Sequence, residues 1–160
     1  YIALGDYANS RGASDMGLLP GTLPGYVPTT DAGAREKFEA LWGAQLPAKP
    51  GLNAHGMLSA AASGQLHALY VVGANPVKTF GVTAKDRLGK LDFLVVQDMF
   101  LNETAQLADV VLPVSSAYEK NGTMTNTAGE VQLVRKGGDV MGTRSDFDIL
   151  RILSFQLVNC

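Results

Sequence analysis

The chain of 160 residues holds a single cysteine, Cys160, its last residue. No internal disulfide and no cysteine-ligated cluster can form within it. Only two histidines, His55 and His67, stand beside that cysteine, so neither a zinc nor an iron–sulfur ligand set can be assembled. Cys160 reads either as a metal or redox ligand or as an ordinary residue of a closing helix. A basic cluster is missing as well. The formal net charge of −2 gives no electrostatic reason to expect nucleic acid. No apolar run approaches the roughly 20 residues that span a bilayer, so direct membrane insertion is not expected. There is no recognisable signal peptide, no nucleophile elbow of the G-x-S-x-G kind and no internal repeat. The chain opens on Tyr1 rather than Met and is expected to be a piece of a longer protein.

Apolar residues make up 46% of the chain, with 18 glycines and seven prolines, which suits one globular domain rich in turns. The expected organisation is a single α/β domain over 1–160, with a loop-rich segment at 1–30 and an α/β body at 31–160. The first segment carries Gly5, Gly12, Gly17, Pro20-Gly21, Pro24-Gly25 and Pro28. Missing N–H groups and glycine entropy predict that it holds no regular helix. Asp31 and Gly43 bracket a helix over Ala32–Trp42, with Ala34, Phe38, Leu41 and Trp42 on one face. Asn53 and Gly64 bracket a second helix. Leu66–Val72, apolar except for His67, reads as a parallel strand covered on both faces. A further strand, Phe93–Val96, follows after a gap that holds one crossover helix near Thr83–Leu88, as in a βαβ unit. Asn102–Ala108 reads as a brief helix. Asp109–Leu112 and Glu130–Val134 read as strands. Asp146–Leu157 reads as a helix with Ile149, Ile152, Leu153 and Leu157 on one stripe. The fold class that follows is α/β: a mostly parallel sheet with flanking helices.

In open α/β sheets ligands bind beyond the carboxyl ends of the strands. Three such loops carry polar residues: Gly73-Ala74-Asn75-Pro76, Gln97-Asp98, and the stretch from Pro113 to Asn126. Glycine lets a backbone N–H approach a phosphate, and Asn75 both donates and accepts. Asp98 offers acceptors suited to the N–H edge of a guanine base, and Thr125 and Asn126 offer groups for ribose or phosphate oxygens. Each residue also has a plain structural reading. Gly73 and Pro76 end a strand, Asn75 is a turn residue, and Asp98 and Asn102 cap short turns. Carboxylate pairs such as Glu103/Asp109 or Asp139/Asp146 can be drawn, but nothing in the sequence fixes their geometry.

Several short motifs recur in one order. Asn9-Ser10-Arg11-Gly12-Ala13 is followed by Leu69-Tyr70-Val71-Val72-Gly73-Ala74-Asn75-Pro76, then Glu103-Thr104-Ala105, then Ala108-Asp109-Val110-Val111-Leu112-Pro113. Glu119, Gly122-Thr123, Thr125-Asn126, and then Arg144, Asp146 and Asp148-Ile149-Leu150-Arg151 close the series. Together they resemble the molybdopterin oxidoreductases, and within that family most of all the carboxy-terminal part of the large iron–sulfur subunit of NADH:quinone oxidoreductase, respiratory complex I. In the molybdenum and tungsten members the resemblance implies a Rossmann-like domain that helps hold a pterin guanine dinucleotide, with Gly73, Asn75, Gln97, Asp98 and Asn126 at the matching positions. In the complex I branch it implies a structural module without that pterin. Iron–sulfur clusters are then expected in an amino-terminal part outside this chain. The implied partners are the rest of its own subunit and other peripheral-arm subunits of complex I, at the cytoplasmic side of the inner membrane. Asn126-Thr127-Ala128-Gly129-Glu130-Val131-Gln132 is similar to that branch. It departs from the pattern at Ala128, where an acidic residue is usual, and at Glu130, where an arginine is usual. Reversing that charge removes a partner for phosphate or carboxylate. A formate dehydrogenase-like pterin-binding domain and a stand-alone nucleotide-binding module remain as alternatives to the scaffold role.

Overall fold

The computed structural model of the protein describes residues 7–140 and 142–158. Gly5 and Cys160 lie outside the described residues, as does the side chain of Leu157. The chain divides into two compact units, one made of the residues up to Asn53 with Gly122–Leu133, the other of Ala54–Asn121 with the residues from Val134 on.

Among the described residues the first element of the first unit is a short helix, α1 (Ser10–Asp15), where the sequence predicted none. The reason is local: between Asn9 and Met16 there is no proline, and Gly12 is the only glycine. Gly12 is buried, and a Cβ there would lie 2.3 Å from Asn9 Oδ1 and 3.0 Å from Thr125 Oγ1. The glycine that argued against a helix is what lets this one pack. A small antiparallel pair follows, β1 (Thr22–Leu23) and β2 (Val27–Pro28). Gly25 and Tyr26 turn the chain between them with φ of +82° and +61°. Helix α2 (Ala32–Trp42) has the predicted limits. Asp31 Oδ1 accepts the Ala34 N–H at 2.9 Å, and Gly43 closes the helix in the left-handed conformation.

The second unit is built on three parallel strands, β3 (Ala68–Val72), β4 (Phe93–Asp98) and β5 (Val110–Pro113), in the order β3-β4-β5. Their register sets Leu69 beside Leu94, Val71 beside Val96, and Val96 beside Val111. Helix α3 (Ala54–Ala62) precedes β3 and ends where Gly64 turns left-handed. The crossover from β3 to β4 is two short helices rather than one, α4 (Pro76–Phe80) and α5 (Val82–Leu88). Asn75 caps α4, with proline in the first turn, where a missing N–H costs nothing. Gly81, at φ +69°, separates the two helices. Strands β6 (Gly122–Thr125) and β7 (Val131–Val134) form a separate two-stranded sheet. The last helix, α6 (Asp146–Val158), follows.

The core of this unit lies on one face of the sheet, where Val71, Leu94 and Val96 are packed with Leu58, Ala84, Leu88 and Ala105. The alternate residues fare differently: Tyr70 is 38% exposed, Phe93 46% and Val72 47%. An apolar run does not say which of its faces is covered, and the prediction of cover on both faces of Leu66–Val72 fails at Tyr70 and Val72, although Gln97 beside Val72 is fully buried. Of the predicted α6 stripe, Ile149 is buried and Leu153 half-buried, while Ile152 is exposed.

Leu94, 2% exposed, sits in the middle of the core. Leu94→Ala is expected to cost about 2–5 kcal/mol of stability, whereas Val72→Ala on the open face should shift it by only about 0.5 kcal/mol. Urea unfolding followed by far-UV circular dichroism measures both, and equal costs would refute this one-sided core.

Candidate functional site

Beyond the carboxyl ends of β3 and β4, Gly73, Asn75, Gln97 and Asp98 come within one polar edge, and hydrogen bonds run through most of it. Gly73 adopts φ +58° with open space where a Cβ would be. Its N–H donates to the Gln97 carbonyl at 2.8 Å, which extends the β3–β4 ladder by one bond. Asn75 Oδ1 accepts from the Lys78 N–H at 3.2 Å and from Thr104 Oγ1 at 2.8 Å. Its Nδ2 donates to Glu103 Oε2 at 2.6 Å. Thr104, fully buried, also accepts the Val77 N–H through Oγ1 at 3.1 Å. One hydroxyl thereby fastens the start of α4 to the loop after β4. That loop is shaped by Asp98 and Asn102: Asp98 Oδ1 accepts from the Phe100 N–H at 3.1 Å, and Oδ2 from Asn102 Nδ2 at 3.0 Å. Asn102 Oδ1 takes the N–H groups of Thr104 and Ala105. The turn-capping reading of Asp98 and Asn102 therefore holds. Each Asp98 oxygen accepts one bond here, and a carboxylate oxygen has room for a second.

Gln97 is fully buried, on the face of β4 opposite Val96. Its Oε1 accepts from the Tyr70 hydroxyl, and its Nε2 donates to Asp146 Oδ1 at 2.6 Å. Asp146 Oδ2 in turn is ion-paired with Lys120. Burial of Tyr70 pushes its phenol above the ordinary range, and the nearby Asp146 charge adds to this. The chain Tyr70–Gln97–Asp146–Lys120 spans from the open sheet face to a cleft of about 680 Å³ beyond β5. Sequence reasoning missed it because its members lie 27, 49 and 26 positions apart; only the tertiary fold brings them together.

The cleft is lined by charged residues, among them Glu119, Lys120, Lys136, Arg144, Asp146 and Asp148. A short 3-10 turn over Ala117–Glu119 carries a capping box: Ser116 and Glu119 bond each other's backbone reciprocally. The Ser116 side chain, then its backbone N–H, hold the Glu119 carboxyl below the ordinary glutamate value of 4.5. Glu103 is lowered in the same way, first by the Asn75 side chain.

Asn126 lies in the hairpin between β6 and β7, within the first unit. Its Oδ1 accepts the Glu130 N–H at 3.0 Å and its Nδ2 donates to Glu130 Oε2 at 2.9 Å. The drawn carboxylate pairs do not form as pairs. Glu103 faces Asn75, Asp109 Oδ2 accepts the Leu94 N–H at 2.7 Å, Asp139 pairs with Lys136, and Asp146 pairs with Lys120. His67 lies at the edge in an exposed pair with Asp92, and the His55 ring meets Phe80. Among the described residues no group of three or more His, Cys, Asp or Glu side chains is placed to hold a metal ion. No described helix is long and apolar enough to cross a membrane.

A three-stranded parallel sheet with flanking helices places the chain in the α/β class, and the family follows from the sequence: the model of the molybdopterin oxidoreductases matches residues 5–156, and the chain belongs to that family. It is 45% identical over 137 residues to an NADH-quinone oxidoreductase subunit of Rhizobium meliloti, covering 82% of this chain and 16% of that protein. It is 47% identical over 136 residues to a putative formate dehydrogenase of Bacillus subtilis, covering 84% and 14%. Identity is 41% over 152 residues to the alpha subunit of the F420-dependent formate dehydrogenase of Methanocaldococcus jannaschii, covering 93% and 22%. Among solved structures, acetylene hydratase from Pelobacter acetylenicus shares the fold, with a TM-score of 0.57 at 21% identity over 79% of this chain and 19% of that one. The chain thus spans between 14% and 22% of the length of these three sequence relatives. Oxidoreductases of both kinds, complex I-like and formate dehydrogenase-like, stand at similar identity.

The family takes its name from a molybdopterin cofactor in related proteins. The fit of such a group to this edge is partial. Asp98 keeps acceptor capacity, and the open space at Gly73 admits a ligand. The Gly73 N–H, both ends of the Gln97 amide and the side-chain amide of Asn75 are engaged within the protein.

Two tests address these bonds. Thr104→Val removes a buried hydroxyl that both donates and accepts, and should cost about 1–3 kcal/mol in urea unfolding; no loss would dissolve the proposed fastening. Glu119 and Glu103 have lowered native values, so the unfolded chain binds protons first as pH falls. Their contribution is complete above the ordinary value of 4.5 and is lost as pH falls through the lowered native value. Glu119→Gln should flatten the fall in urea midpoint measured from about pH 6 downward, at about 0.5-unit steps; an unchanged slope would show that this carboxyl is not held as described.

Proposed function

We propose that this chain is a structural α/β domain of the large iron–sulfur subunit of an NADH:quinone oxidoreductase, supporting electron transfer from NADH to quinone without chemistry of its own. The observation that carries this reading is the engagement of Gly73, Asn75, Gln97 and Asn126 inside the protein. The Gly73 N–H would have to give up its bond to meet a ligand, Asn75 Oδ1 already accepts two bonds and Gln97 is fully buried, while Asn75 and Asn126 each keep one amide N–H. The NADH-quinone oxidoreductase relative, at 45% identity, supports it. On this reading the chain acts as one domain. The clusters belong to the amino-terminal part of the subunit, and the partners are the rest of that subunit and other peripheral-arm subunits, on the cytoplasmic side of the inner membrane.

A second reading, a pterin guanine dinucleotide-binding domain of a molybdenum or tungsten formate dehydrogenase-like oxidoreductase, is favoured by one feature: Asp98 retains acceptor capacity beside the open backbone at Gly73. Gly73, Asn75, Gln97, Asp98 and Asn126 remain the candidates, in unequal roles. Asp98 would accept from the N–H edge of a base, Gly73 would admit the ligand, and Gln97 and Asn75 would shape the edge. The bound group would supply the redox chemistry. The formate dehydrogenase-like relatives support this reading.

Elemental mass spectrometry of the purified full-length subunit separates the two. Iron without stoichiometric molybdenum or tungsten is the expected result. Near-stoichiometric molybdenum or tungsten would overturn the scaffold reading and make Asp98→Asn the first variant to assay for cofactor retention.

A further inference from the structure

The cleft beyond β5 holds more charge than the proposed scaffold role uses, and most of it is already matched. Lys120 is paired with Asp146 and Lys136 with Asp139. Glu119 Oε2 accepts the Ser116 N–H in the capping box while its buried Oε1 has no hydrogen-bond partner among the described residues, and Asp148 Oδ2 accepts from Ser145 Oγ at 2.7 Å. Arg144 is different. Its backbone is pinned: its carbonyl accepts the Ser115 N–H at 2.8 Å, its N–H donates to the Pro113 carbonyl at 3.4 Å, and it forms an isolated parallel bridge with Val114. Residue 144 thus prolongs the sheet past the end of β5, while among the described residues nothing accepts a hydrogen bond from its guanidinium. Arg144, an exposed residue, is among those that line the cleft. A guanidinium offers five donors in a planar fork that matches two oxygens of one oxyanion. The cleft volume of about 680 Å³ falls within the ordinary range for small-molecule sites, at the strand ends where α/β sheets bind ligands.

We propose that this cleft binds the oxyanion group, phosphoryl or carboxylate, of a small polar ligand through Arg144. Lys120 assists with the N–H groups that Asp146 leaves free, and the buried Gln97 amide fixes Asp146 and, through it, Lys120. Arg144 is then a binding residue, while Gln97 and Asp146 are positioning residues. The proposal does not depend on whether the parent subunit carries a pterin.

Isothermal titration of the purified protein with pyrophosphate and, separately, with succinate tests it. The panel comprises wild type, Arg144→Gln, Arg144→Lys and Lys85→Gln, the last a charge-matched control at an exposed position of α5. The expected result is binding of at least one probe, with affinity falling by about tenfold or more in Arg144→Gln. Arg144→Lys should lie between, and Lys85→Gln should match wild type. Pyrophosphate alone would assign a phosphoryl ligand, and succinate alone a carboxylate. Absence of binding by wild type at about 10 mM of either probe, a weak affinity by any standard, would overturn the proposal. So would an unchanged affinity in Arg144→Gln, or an equal loss in Lys85→Gln, which would mark unspecific charge attraction. Should Arg144→Gln fail to fold, the Nε–H resonance of Arg144 in the wild type decides: it must shift on titration, and a static resonance refutes the contact.

Discussion

The arrangement of the second unit depends on β4, the central strand of its three-stranded sheet. Because side chains alternate along a strand, β4 serves two environments at once. Leu94 and Val96 enter the apolar core with Val71, Leu88 and Ala84. Gln97, one residue on, turns to the other face and enters a polar chain with Tyr70 and Asp146. A slip of one residue would exchange these sets, placing an amide among leucines and aliphatic side chains against a carboxylate. The register is therefore fixed by two kinds of penalty: lost apolar burial and an unpaired buried amide. Asp109 reinforces it at the start of the strand, where its N–H and carboxylate bond the Leu94 carbonyl and N–H.

From that register the polar edge follows. Once β3 and β4 are aligned, Gly73 extends the ladder, and Asn75 and Thr104 come within reach of each other. These groups are drawn from loops that a ligand-binding α/β domain would also use, and the same residue types serve either purpose. The distinction lies in saturation. An amide whose donor and acceptor are both bonded to protein acts as a strut; a carboxylate with vacant lone pairs, or a guanidinium with no acceptor, can still act on a ligand. Gln97, fully buried with both ends bonded, is a strut; Asn126 keeps one N–H and one lone pair, Asp98 keeps lone pairs, and Arg144 keeps its donors.

Local signals were legible in the sequence to the degree that they were local. Helix α2 is bounded by Asp31 and Gly43 because a cap and a left-handed stop act within four residues. The α/β class was legible from apolar runs spaced by a crossover. The single crossover helix was not resolved into α4 and α5: Asn75-Pro76 and Gly81 were both present, but a turn residue and an N-cap look alike until the chain beyond them is seen to coil. Helix α1 was lost because glycine was weighed for its entropy and not for the contact with Thr125 that it permits. The exposure of Tyr70, Val72 and Phe93 was beyond reach, since Val72 and Phe93 are as apolar as the residues they alternate with and Tyr70 differs from them by one hydroxyl. Likewise, nothing local in Gln97 announces an acceptor 49 positions later.

The departure at position 130 shows how a substitution that looks like a lost ligand contact can be a gained structural one. Glu130 occupies a place where an arginine was expected, a charge reversal at the tip of the β6–β7 hairpin. In the fold, Glu130 closes that hairpin: its N–H and its carboxylate engage both atoms of the Asn126 amide, and its carbonyl accepts the Asn126 N–H at 3.0 Å. Gly129, at φ +92°, makes the turn possible and leaves room for Arg11, whose guanidinium would lie 2.9 Å from a Cβ at that position. Arg11 also donates to the Thr127 carbonyl at 3.4 Å. A positive charge therefore does stand at the hairpin, but it arrives from α1, and the carboxylate of Glu130 is directed to Asn126. A hairpin whose polar groups close on one another in this way holds its own turn by local bonds.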